Sequence, residues 1–257
     1  APAGNKVLDM IRKKQGETSQ NSKAKASKAR HPEPAAVDTR LDIQTPNGTI
    51  AGMLMSPGAA ARNGKGRLVL LLHGSDGDKD YLYQRQLAIA LASSAAHSFR
   101  FDFRSGTGES AATAGAAGSQ QHGFGPPISD DVDDLRHTIS HLQADGWTVQ
   151  ALVGHSRGAS AALRYCATVQ SDGHVPLIVN VAGNADAYMM RKRLGADQLS
   201  EIESGNTIVF SRPNLKTGTK VTTKLNKAVL EAGERQDILK TCIFPRGAAG
   251  PRVLTYH

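Results

Sequence analysis

One serine stands in a pattern that could carry acyl-transfer chemistry. Ser156 lies in Gly154-His155-Ser156-Arg157-Gly158, the G-x-S-x-G spacing, directly after the apolar run ALV. A strand that passes into a helix through so tight a turn needs small residues where side chains would collide, and the turn lifts the serine hydroxyl above the sheet edge. The helix that follows points its first amides at a negative charge developing there. The five-letter pattern alone is weak, because small-residue turns with a serine occur by chance. The strand before it and the helix after it make Ser156 a candidate nucleophile; the bland alternative is a mere strand-to-helix turn.

Acyl transfer needs a second amide donor facing the first. His73-Gly74-Ser75 ends an earlier apolar run, GRLVLLL. The backbone N–H of Ser75, paired with that of Arg157, is placed to form an oxyanion hole, whereas the Ser75 hydroxyl itself has no required role. The segment HGSDGD also fits an ordinary polar loop. A third glycine-containing turn, FDFRSGTGES, has Gly106 and Gly108 but Ala111 where a dinucleotide loop would have its third glycine. It also follows the wrong strand for that role. Asp102 and Arg104 are expected to brace the turns around the site.

The elements that position these residues follow from hydrophobic period. Two alternating runs flank Asn47-Gly48 and predict a hairpin. Residues 66–74 carry consecutive apolar residues, as a strand buried on both faces does. The stretch YLYQRQLAIALASSAA predicts a helix with Leu82, Leu87, Ala90 and Leu91 on one side, and HSFRFDF predicts a strand. ISDDVDDLRHTISHLQAD predicts a helix capped by Ser129, with Val132, Leu135, Ile139 and Leu142 on one face. His137 and His141 have metal-ligand spacing there but no third partner, so they are read as helix-surface histidines. WTVQALVG, HVPLIVNVAG and PRVLTYH predict further strands. Hairpin first, then repeated strand-helix units, argues an α/β fold with a mostly parallel central sheet and helices on both faces. Residues 39–257 form that domain, with 185–240 as a mostly helical, lid-like insertion. Residues 1–38 read as a disordered basic segment.

Composition narrows the function. The chain of 257 residues has a formal net charge of +8, which on its own suits an anionic partner. Residues 1–38 hold eight Lys or Arg against four Asp or Glu, an excess of four, so half of the charge lies outside the predicted domain. No aromatic-basic interleaving accompanies it, and no nucleic-acid partner is expected. Two cysteines, Cys166 and Cys242, make no disulfide framework, and a reducing, cytoplasmic setting is the default, with organelle targeting open. No apolar run reaches the length of a transmembrane helix.

LVLLLHGSDG, FRFDFRSGTGES, ALVGHSRGASAAL, LIVNVAGNAD and PRVLTYH, in that order, resemble the α/β-hydrolase superfamily. More narrowly they resemble its serine esterases, lipases and aminopeptidase-like hydrolases with a helical lid. The resemblance implies Ser156 as nucleophile, the amides of Ser75 and Arg157 as oxyanion hole, a small-molecule or lipid-like ester as substrate, and no cofactor or metal. Ser105 departs from it, where such proteins often carry glycine.

A serine nucleophile needs a base, and the imidazole an orienting carboxylate. In the family both usually follow the last strand seen here, so the sequence reads as C-terminally incomplete, lacking a last strand and helix. The expected consequence is an exposed sheet edge and a tendency to aggregate or to be completed by a partner. Asp186 follows a strand end, where some related folds place their acid, but is read as the start of the lid-like insertion, and of His155, His73, His122 and His257 none is favoured as the base. The sequence therefore predicts an ester hydrolase working through an acyl-enzyme. The alternatives are a non-catalytic binding or scaffold protein that keeps the fold, and a peptidase or thioesterase of the same fold. Substrate, acyl length and oligomeric state are not encoded legibly.

Overall fold

The computed structural model describes residues 36–58, 66–75, 77–104, 108–112, 128–168, 175–183, 191, 194–213, 220–235 and 250–256. Its main sheet follows from the alternation of apolar residues. Strands β1 (Val37–Thr45) and β2 (Gly48–Ser56) pair antiparallel from Val37 opposite Ser56 to Thr45 opposite Gly48. The turn between them is closed by Thr45, whose hydroxyl accepts the Asn47 N–H and donates to the Gly48 carbonyl. β1 begins at Val37, two residues ahead of residue 39, from which the sequence pattern counts the domain.

β3 (Arg67–Leu72), β4 (His97–Phe101), β6 (Thr148–His155), β7 (Leu177–Val181) and β10 (Arg252–Tyr256) complete the path, and the short β5 (Ala111–Ala112) pairs with β2. The order is β1-β2-β4-β3-β6-β7-β10. β4, β3, β6, β7 and β10 run parallel to one another, and β2 alone runs against them, pairing antiparallel with β1, β4 and β5. β3 is the origin of the path: the chain goes from it to β4 on one side, then crosses to β6 on the other. The carboxyl ends of β3 and β6 therefore part company at a topological switch point, where such sheets leave a crevice.

Helices α1 (Gln84–Ser93), α2 (Ile128–Ala144) and α3 (Arg157–Thr168) cover the sheet. Leu68, Leu70 and Leu72 share a core with Leu135, Ile139 and Leu142 of α2 and with Ala161, Ala162 and Leu163 of α3. Leu71, facing the other way, packs with Ala88 and Ala92 of α1. Burial on both faces is why β3 reads as an unbroken apolar run. α2 starts at Ile128, so Ser129 lies inside it, and Val132, Leu135, Ile139 and Leu142 are buried as their spacing predicts. α1 differs from expectation: it starts at Gln84, and Leu82 lies outside it in a left-handed conformation. Ala90 faces solvent, and the buried stripe runs through Gln84, Ala88 and Ala92 instead.

Among the described residues of 185–240, strands stand beside the helices. α4 (Ala196–Glu203) and α5 (Lys227–Arg235) accompany an antiparallel hairpin of β8 (Ile208–Pro213) and β9 (Lys220–Leu225). Ile202, Leu225 and Leu230 form a small separate core there, with Ile208 and Phe210 against it. The β-branched runs TIV and KVTT favour a pleated, half-buried surface over a helix, and alternation at Ile208 and Phe210 is all that short strands need. β10 is the far edge of the sheet among the described residues, and Val253, Leu254 and Tyr256 on it are exposed. None of the helices among the described residues is long and apolar enough to cross a membrane.

Arg100 shows how the hairpin is fixed to the parallel strands. Its guanidinium, 2% exposed, makes two parallel hydrogen bonds to Asp38 at 2.9 and 2.6 Å and a third to Asp80 at 2.9 Å. Asp38→Ala leaves that buried charge with one partner, and we expect a loss of about 2–4 kcal/mol in unfolding free energy. Urea unfolding measures it as a lowered midpoint at unchanged slope. A loss below about 0.5 kcal/mol would show the pair to be no more than a surface ion pair.

Candidate active site

The turn from β6 to α3 forms because two glycines remove side chains where backbones nearly touch. A Cβ on Gly154 would lie 2.5 Å from the Ala159 backbone, and one on Gly158 would lie 2.4 Å from the His73 carbonyl oxygen and 2.7 Å from that of Leu72. Between them Ser156 has φ of 49°, left-handed and unusual for a residue with a side chain. Its amide donates to the Val181 carbonyl at the end of β7, and its carbonyl accepts the Ser160 amide in the first turn of α3. Ser156 is thus held from both sides, half-buried, at the carboxyl edge of the sheet.

The loop after β3 meets this turn. A Cβ on Gly74 would be 3.2 Å from the Ser156 Cβ and 2.8 Å from His155 Nδ1. Ser75 follows, exposed, and Arg157 opens α3, where the first amides of a helix have no carbonyl partner within it. The structure therefore brings together all three residues predicted from sequence: Ser156 and Arg157 on one turn, Ser75 on the neighbouring one.

His73 fixes the shape of the second loop. It is buried, its Nδ1 lies 2.7 Å from the Gly74 carbonyl, and its Nε2 accepts the Phe103 amide at 2.9 Å. The Phe103 bond requires Nε2 to be bare, so the proton sits on Nδ1 and donates to Gly74. Burial lowers the His73 pKa from its ordinary value. The His155 ring lies edge-on to Tyr83, ring centres 6.1 Å apart, with Nδ1 buried and unpaired. Burial lowers its pKa too. Both His73 nitrogens are thus engaged, and the His155 ring contacts Tyr83. His122, Asp186 and His257 lie outside the described residues.

Three buried carboxylates brace the loops. Asp102 accepts the amides of Lys79 (2.5 Å) and Glu109 (2.7 Å), joining the loop after β3 to the loop after β4. Gly108 makes room, since its Cβ position falls 2.1 Å from the Asp102 Cγ. Lys79 Nζ reaches Glu109 at 3.0 Å and Asp102 at 3.4 Å. Burial works to lower its pKa, but Glu109 and Asp102 outweigh it and the net shift is upward. Glu109, mostly exposed, is held down to about 2 by Arg40 first and Lys79 second.

Asp134 accepts the Arg104 amide at 2.9 Å and its guanidinium Nε at 2.5 Å, and Arg104 also donates to the Asn47 carbonyl. Burial pushes Asp134 up to about 6 against the opposing pull of Arg104. Asp131, fully buried one turn earlier on α2, holds the Arg157 guanidinium. Asp102 and Arg104 were legible as braces. Asp131 and Asp134 were not, although their spacing with Leu135 and Thr138 puts them on the buried face of α2 and would have revealed them.

A mostly parallel sheet covered by helices on both faces, with a serine on a left-handed turn at the switch point, defines the α/β-hydrolase fold. A family model described as the Alpha/beta hydrolase family matches residues 69–226, and the chain belongs to that family. The fold is shared with a putative hydrolase from Agrobacterium vitis S4 (TM-score 0.57, 19% identity, 86% of this chain and 78% of that one). It is shared as well with mouse alpha/beta hydrolase domain-containing protein 10 (0.56, 16%, 86% and 76%) and with Est1E from Butyrivibrio proteoclasticus (0.52, 12%, 76% and 69%). No curated protein matches the sequence.

The His73 geometry predicts a pH dependence. Because its folded pKa is depressed, the unfolded chain takes up a proton below about 6.5 that the folded chain excludes. The His73 contribution is complete above that pH and is lost as pH falls towards the folded value. His73→Phe should lower Tm at pH 8 and flatten the Tm profile between pH 6.5 and 5 relative to wild type, read by thermal unfolding. Parallel profiles would show that His73 is not the titrating group.

Proposed function

We propose that the protein is a serine hydrolase acting on carboxylic esters through an acyl-enzyme. Ser156 attacks the ester carbonyl, the alcohol leaves, and water then releases the acyl group from the serine oxygen. The amides of Ser75 and Arg157 receive the oxyanion of each tetrahedral intermediate. The observation that carries this reading is the left-handed backbone of Ser156, bounded by two glycines with no room for a side chain and abutted by Gly74. Strain at a residue that could have been glycine is retained where the side chain has a task.

The roles of the braces follow. Asp131 orients Arg157, whose amide is one donor, and His73 with Asp102 orients the loop carrying the other. Both donors are backbone groups set before substrate arrives, which is how such a site stabilises charge without reorganising. The reading needs an imidazole base and a carboxylate acid beyond the braces described above.

A fluorophosphonate probe should label the protein covalently at Ser156, located by peptide mass, and Ser156→Ala should abolish labelling and lower ester turnover by at least about 10³-fold. Failure of a folded protein to label would count against the nucleophile. Ser75→Pro removes the proposed donor and should lower kcat by about 10²-fold or more, far beyond the effect of Ser75→Ala, which keeps the N–H. Equal effects of the two substitutions would place the oxyanion elsewhere.

A further inference from the structure

The loop after β3 makes its own shape but not its own place. The Gly77 amide donates to the Gly74 carbonyl at 3.1 Å, the Asp80 amide to the Asp78 carboxylate at 2.9 Å and the Tyr81 amide to the Asp78 carbonyl at 3.0 Å. These are local turns, and they leave the loop as a unit to be fixed from outside. On one side of Ser75, His73 receives the Phe103 amide. On the other side stand Lys79 and Asp80.

Those two neighbours carry opposite charges and hold different segments. Asp102 accepts the Lys79 amide at 2.5 Å and its ammonium at 3.4 Å, and Glu109 accepts the ammonium at 3.0 Å. Asp80 accepts from Arg100 at 2.9 Å, and Arg100 holds Asp38 on β1. Glu109 in turn holds Arg40, also on β1, and the Lys79 and Asp80 side chains lie 3.8 Å apart. Asp38, Arg100, Asp80, Lys79, Glu109 and Arg40 thus form a circuit of alternating sign. It leaves β1 and returns to it two residues further on, on the same face of the strand.

Stability alone does not account for Lys79 in this circuit. The residue is 5% exposed, and a methionine would bury there without taking an ammonium out of water. The link from Glu109 to Arg40 is exposed at both ends, where ion pairs contribute little. What the ammonium supplies is a fixed separation between the loop that carries Ser75 and the segment after β4. That matters to an oxyanion hole, whose donors act only if they are in place before the charge develops. A displacement of about 1 Å at such a site costs about 10²-fold in rate.

We propose that Lys79 is a positioning residue for the reaction, its ammonium holding the loop so that the Ser75 amide faces Ser156. The proposal rests on the ester-hydrolase reading and adds a residue to it that touches neither substrate nor Ser156. An interaction of that kind acts on the transition state, so its loss lowers kcat and leaves KM in place.

The test measures hydrolysis of p-nitrophenyl butyrate by wild type, Lys79→Met, Glu109→Gln and the double variant. We expect kcat to fall at least about tenfold in Lys79→Met and about threefold in Glu109→Gln, with KM within about twofold of wild type in both. The double variant should stay within about twofold of Lys79→Met, because both substitutions cut the same link. A kcat within about twofold of wild type in folded Lys79→Met, a KM that rises as far as kcat falls, or losses that multiply in the double variant would overturn the proposal. If Lys79→Met does not fold, Glu109→Gln decides alone: the threefold fall in kcat at constant KM sustains the tether, and an unchanged kcat refutes it. Should wild type neither hydrolyse the ester nor take up a fluorophosphonate, the ester reading fails by itself. Amide hydrogen exchange read by mass spectrometry then decides Lys79. Faster exchange of the peptide carrying Ser75 and Lys79, with α3 unchanged, sustains the tether; equal exchange, or faster exchange throughout the chain, refutes it.

Discussion

The end of β3 and the first turn of α3 approach so closely that the carbonyl oxygens of Leu72 and His73 occupy the space a side chain at residue 158 would fill. That contact sets the rest of the site. It brings the loop after β3 over the turn after β6, it allows the short radius that forces Ser156 into the left-handed region, and it puts Gly74 against both His155 and Ser156. The parallel pairing of β3 with β6, together with departure of the chain to opposite sides of β3, is what makes two strand ends available at one crevice. The alanines of α3 extend the same logic, since Ala159, Ala161 and Ala162 let the helix lie close on the sheet.

Around that contact the protein buries charge. Asp102, Asp131 and Asp134 are fully buried and Arg100 and Lys79 almost so. Such pairs cost desolvation that apolar residues of equal volume would avoid, and their stabilisation is correspondingly modest. What they supply is geometry. Each carboxylate accepts from groups on a different segment: Lys79 and Glu109 for Asp102, Arg104 for Asp134, Arg157 for Asp131. A buried carboxylate stripped of these donors would be left unsatisfied, so the loops have few alternative positions. The acids that cannot relax are those that hold the segments flanking Ser156.

The loops are held, and they are also where the chain departs from what folding alone would favour. Ser156 is strained, and Tyr83 caps nothing. The cores beneath them, by contrast, are filled by ordinary leucines, phenylalanines and alanines. The division follows the sheet: the body supplies the stability that the carboxyl-end loops spend.

The sequence by itself determined β1 to β4, β6, β7 and β10 and the α/β class, and it marked Ser75, Ser156 and Arg157 as candidates, because these depend on local signals: apolar period, glycine spacing and order along the chain. It also marked Asp102 and Arg104 as braces. It did not reveal the strands at 208–213 and 220–225, which have too few residues to outweigh a helical surrounding, and it began α1 ahead of Gln84. Only the tertiary structure decided which arginines Asp131 and Asp134 hold, that Arg100 anchors the hairpin, and that His155 meets Tyr83. Those are contacts between residues 26 to 72 positions apart. A partner for a buried charge, or the room beside a glycine, depends on which segments the fold brings near, and no local pattern in one segment records the other.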